Sequence, residues 1–135
     1  MAAADTNVIL RLLLRDDEQQ YLDAKRFLDT NEHVFVSHVV LAEVAWVLAS
    51  AYRVPKEKIC DAIAMLVEVP AFRLEGAPLV QAALAEYRAA NADFSDCLVL
   101  AAARAANELP LATFDANFAR LNGTTKLGRS PRKKR

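Results

Sequence analysis

The sequence predicts an α/β protein in which helices cover the faces of a parallel sheet and outnumber the strands by residue count. Three observations predict it. Short β-rich runs such as HVFVS (33–37) alternate with segments of helical length, the order that parallel crossover connections require. Hydrophobic residues make up 54% of the chain while Gly and Pro are few, the composition of a folded globular protein. A length of 135 residues suffices for one domain around one core.

Each element has its own signal. Residues 2–4 are short and apolar and end at Asp5, a strand. Val8–Leu14 is apolar and helical or turn-like. Glu18–Leu28 sets Tyr21, Leu22, Ala24, Lys25 and Leu28 at helical spacing. His33–Ser37 is a short strand. Val39–Tyr52 is a strongly apolar helix. Pro55 in a first turn opens a helix to about Val67, and Pro70 follows its end. Phe72–Leu74 is a strand, Pro78–Ala90 a helix rich in Ala and Leu, and Phe94–Asn107 another helix. Leu109–Thr113 closes the series as a strand, followed by a short helix over Asp115–Leu121. These elements form one domain over residues 1–125. Residues 126–135 read as a basic, disordered tail.

The composition excludes several classes of function. The longest apolar segment, Val39–Ala51, is broken by Glu43 and Ser50 and falls short of a membrane span. MAAAD has no basic region and no hydrophobic stretch before its first acid, so no signal peptide and a cytoplasmic location are expected. Cys60 and Cys97 lie in helical segments and read as core thiols rather than a disulfide. Two histidines with no CxxC or HExxH argue against zinc. The formal net charge is zero, but the last ten residues, KLGRSPRKKR, hold six basic groups and no acid, leaving the rest net acidic. Such a tail is usually solvated and can add weak, salt-sensitive affinity for nucleic acid.

The acids carry the functional argument. NADFSDCLVL (91–100) places Asp93 and Asp96 at the mouth of an apolar helix. Capping and helix-dipole roles account for both without chemistry. The same reading serves Asp5, after the first strand, and Asp115, in TFDANF. Glu43 is different, because it sits inside a helix with Val39, Val40, Trp46 and Val47 at i±3 and i±4. These neighbours predict a buried stripe, where an unpaired carboxylate is expensive. It can be protonated, reach an Arg from another element, or share a cation with other carboxylates. Ligands of parallel α/β sheets gather at the carboxyl ends of the strands. Asp5 and Asp115 each follow a strand, Asp96 opens the helix that leads into the last strand, and Glu43 follows the 33–37 strand. Sharing a cation is therefore the favoured resolution. Oxygen-only ligands suit Mg²⁺ or Mn²⁺, and that layout suits phosphodiester hydrolysis by a metal-activated water.

With ADTNVILRLL (4–13), VSHVVLAEVAWVL (36–48), ADFSDCLVLAAA (92–103) and LATFDANF (111–118) in this order, the sequence resembles the PIN-domain family and, within it, the VapC-type toxins of bacterial toxin–antitoxin pairs. The resemblance runs to about Leu121. It implies a three-layer α/β/α fold with a central parallel sheet, and a Mg²⁺- or Mn²⁺-dependent ribonuclease. Its acids fall on Asp5, Glu43, Asp96 and Asp115, with Asp93 a fifth candidate and Thr6, Asn7 and Thr113 as supporting polar positions. It also implies a homodimer and a cognate antitoxin whose tail enters the acidic groove. Operator DNA would be contacted through that antitoxin. The sequence departs from the family pattern in its AAA first strand, in Cys97 where Ala is frequent, and in its basic tail. Arg11, Arg129, Arg132, Lys133 and Lys134 are candidate RNA contacts.

Two other readings compete. A non-cleaving PIN-like module would bind RNA or protein through the tail and Arg11, Arg15, Arg53, Arg88, Arg104 and Arg120. A phosphatase of small esters would be expected to carry a DxD pair at the first strand, where this chain has DTN.

Overall fold

The computed structural model describes residues 2–128, running β1 (Ala2–Ala3), α1 (Thr6–Leu14), α2 (Glu18–Asp29), β2 (Val34–Val36), α3 (His38–Ser50), α4 (Lys56–Glu68), β3 (Phe72–Leu74), α5 (Ala77–Ala89), α6 (Phe94–Ala105), β4 (Leu111–Thr113), a 3₁₀ turn (Phe118–Arg120) and β5 (Thr124–Lys126). Strand β2 is central to a parallel sheet. Ala2 faces Val34 on one side, and Val34 and Val36 face Phe72 and Leu74 on the other. The mixed α/β architecture, six helices about a parallel sheet, agrees with the expected α/β/α fold.

Local chemistry sets the boundaries. Val34 and Val36 are buried while Phe35 between them is only partly so, the alternation of a strand with unequal faces. Three helices open on side-chain caps: Asp5 accepts from the Val8 N–H, Asp17 from Gln20 and Ser37 from Val40. Capping removes Ser37 from the strand expected over 33–37. Gly76 enters α5 at φ +54°, in the left-handed region, and an added Cβ would approach the His38 ring within 3.3 Å.

The last third of the chain departs from expectation. β4 pairs in parallel with β5 as a separate two-stranded sheet, Leu111 opposite Thr124 and Thr113 opposite Lys126. β5 had no sequence signal strong enough to find it, since TTK carries no apolar residue. It ends at Lys126, and the Leu127 N–H still donates to the Thr113 carbonyl at 2.7 Å. The helix expected over Asp115–Leu121 contracts to one 3₁₀ turn.

The core is built from Ile9, Leu41, Ile59, Ile63, Leu66, Val80 and Phe94, with no polar side chain buried among the described residues. Tyr87 meets Phe94 edge to face at 5.6 Å, joining α5 to the start of α6. Cys60 and Cys97 are buried free thiols. Among the described residues no helix is long and apolar enough to cross a membrane.

Candidate active site

The start of α6 gathers three of the acids. Asp93, Asp96 and Asp115 line one cavity of about 300 Å³ with Asn91, Asn117 and Lys56. Asp93 occupies the N-cap position of α6 but makes no capping bond with its side chain. Asp96, in the first turn, is half-buried and accepts no hydrogen bond among the described residues. Burial pushes its carboxyl above the ordinary range, and the charges of Asp93 and Asp115 push it the same way. Asp115 is exposed and partly engaged by its own turn. Its Oδ1 accepts from the Asn117 and Phe118 N–H groups at 2.8 and 3.2 Å, while its own N–H donates to Thr113 Oγ1. Lys56 Nζ donates to the Ala90 carbonyl and lies 4.8 Å from the centre of the Tyr87 ring.

A second group forms where α1 meets α3. Thr6 Oγ1 donates to Glu43 Oε1 at 2.5 Å, and Asp5, the adjacent residue, caps α1 through Oδ1 at 3.1 Å. Asp5 and Asn7 line a different cavity of about 440 Å³, which Arg11 shares. The structure thus links Thr6 to Glu43 and joins Asp93, Asp96 and Asp115, but places Asp5 on a separate concavity. Among the described residues no three His, Cys, Asp or Glu side chains are disposed to hold a metal ion.

Glu43 corrects one expectation. It is exposed, not buried, and so are Val39 (69%) and Trp46 (64%) beside it. The buried stripe of α3 is Leu41, Val44, Ala45 and Leu48. The helix is apolar on nearly every side, so apolar neighbours at i±3 and i±4 do not tell the inward face from the outward one. Solvent and Thr6 accommodate the charge.

Arg11, a candidate RNA contact, is committed elsewhere. Its guanidinium pairs with Asp16 at 3.0 Å and donates to the Tyr52 hydroxyl, leaving the side chain 17% exposed. Arg129, Arg132, Lys133 and Lys134 lie outside the described residues. Lys56, Asn91 and Asn117 escaped the sequence reading. Asn117 had a usable signal, two residues from Asp115 in a turn. Lys56, one lysine among several beside Pro55, had none.

The donors suit a hard divalent cation. They are oxygen-only, Asp93 and Asp96 are uncommitted among the described residues, and Asp96 is under repulsion that a cation would relieve. Compared with protein families, the chain matches the PIN domain over residues 2–123. No curated protein sequence matches it.

Proposed function

The chain belongs to the PIN domain family, and from that premise we propose that it is an endoribonuclease acting as the toxin of a toxin–antitoxin pair. PIN domains are typically metal-dependent nucleases, so nuclease chemistry with a divalent metal is the family's own. The observation that carries the reading is Asp96: a half-buried carboxylate without a hydrogen-bond partner among the described residues, repelled by Asp93 and Asp115 in one polar cavity.

Asp96, Asp93 and Asp115 would hold the cation, Mg²⁺ or Mn²⁺; Asp5 and Glu43, donors by the family resemblance, lie apart from them in this structure. When bound, such an ion supplies a water of lowered pKa and offsets charge on the phosphate oxygens. The chain's own residues do the rest. Thr6 fixes one oxygen of Glu43, and Thr113 holds the backbone of Asp115. Lys56 places a cation against an otherwise acidic wall, where a phosphate needs one. Asn91 and Asn117 offer amide donors to the substrate.

The toxin assignment brings partners with it: a structured RNA such as tRNA as substrate, a cognate antitoxin, a second copy of the chain in a homodimer, and operator DNA through the antitoxin. The alternative is a PIN-like module that binds RNA or protein without cutting. It draws on one observation, that no three acids among the described residues are disposed around a single ion. Incubation with total tRNA separates the two. Discrete fragments with Mg²⁺ or Mn²⁺, absent with EDTA, support the nuclease. RNA that is bound but intact with Mn²⁺ supports the module, and cleavage that persists in EDTA refutes the metal-dependent reading.

A further inference from the structure

Trp46 is the only tryptophan of the chain, and it is 64% exposed. An indole carries a large apolar area and is ordinarily highly buried. The inward stripe of α3 has no place for it. Trp46 instead faces outward, three residues beyond Glu43. No aromatic ring or cation of the described residues packs on it face to face. It lines a small cavity of about 30 Å³ with Phe94, Ser95 and Asp93. Asp93 and Tyr87 also line the acidic cavity, so the two concavities adjoin.

We propose that Trp46 is a stacking platform for one unpaired base of an RNA substrate, whose adjoining phosphate enters the acidic cavity past Asp93. The proposal rests on the nuclease reading and adds where and how the substrate is held. An exposed indole offers a flat face that every nucleobase matches, so such a platform selects for single-stranded or splayed nucleotides rather than for sequence. The shared wall of Tyr87 and Asp93 puts a base site and a phosphate site side by side, with Lys56 on the phosphate side. A protein partner fits less well. The outward face of α3 interrupts Val39 and Trp46 with the charge of Glu43, whereas the core of a protein interface is depleted in charged residues.

The sole tryptophan is its own reporter. The full chain is titrated, with Ca²⁺ and separately with EDTA, with a dye-labelled single-stranded oligoribonucleotide. An abasic oligomer of the same length is run beside it. Dye anisotropy reports binding and indole fluorescence reports stacking. The expected result is a saturable fluorescence change with RNA and little with the abasic oligomer. Trp46→Ala should weaken RNA binding about tenfold, the scale of losing one base stack, and Trp46→Phe should retain most of it. In cleavage the loss should fall on KM rather than kcat. Both variants should melt near the wild type, since the side chain is exposed. RNA that binds and is cut while the indole stays silent and Trp46→Ala binds normally overturns the platform and leaves the nuclease intact. RNA neither bound nor cut overturns both. A Trp46→Ala chain that drops from dimer to monomer overturns the platform in favour of an interface between copies.

Discussion

Asp96 carries opposite demands from stability and chemistry. Its carboxyl is pushed above the ordinary value of 3.8, first by burial and then by Asp93 and Asp115. The folded state therefore holds that proton more tightly than the unfolded state. Its favourable contribution is complete below the unfolded pKa and is lost as pH rises through the folded one, so at neutral pH the charge is a net cost. Metal-free Asp96→Asn should accordingly melt above the wild type at pH 7, with the difference vanishing below about pH 3.8, while cleavage is lost; parallel melting curves and activity assays check both halves. Asp5 separates capping from chemistry differently. Asn also caps a helix, so Asp5→Asn should keep its stability and lose activity. Asp5→Ala should cost about 1 kcal/mol more in denaturant unfolding. Burial pushes the Cys97 thiol up to about 11 from an ordinary 9.0, so it stays protonated and inert. Its alkylation by iodoacetamide at pH 8 should proceed only after unfolding. Stability should fall from pH 9 toward 11 as the unfolded thiol ionises first.

At the scale of elements, α3 shows what a sequence can and cannot reveal. Its existence was legible, because an apolar run of helical length follows a short strand; its start was not, since Ser37 reads as the end of that strand and acts as the helix cap. Its orientation was not. Val39, Val40, Trp46 and Val47 surround Glu43 whichever side faces in, and only tertiary packing selected Leu41, Val44, Ala45 and Leu48. The two sides make a direct test. Leu41→Ala should cost about 2–5 kcal/mol in chemical denaturation, whereas Val39→Ala should fall within about 0.5 kcal/mol of the wild type. The acids at the start of α6 were legible because Asp93 and Asp96 stand before an apolar run, and Asp115 because it follows a strand. β5 was not legible. Its three residues earn their place by backbone pairing with β4, a long-range contact that composition does not record.

At the scale of the molecule, a net acidic body concentrates three aspartates in one cavity and leaves an indole exposed beside it. Carboxylates that repel one another gain most from a shared cation, and a ligand that binds only the folded state raises its melting temperature. Millimolar Mn²⁺ should therefore stabilise the wild type more than Asp96→Asn at neutral pH. The most direct test of the account is calorimetric titration of Mn²⁺ into the RNA-free protein, wild type beside Asp96→Asn. The account predicts saturable binding to the wild type, weakened about tenfold or more when the central carboxylate of the cavity is removed. Equal affinity in the two proteins, or no binding to the wild type, would contradict it.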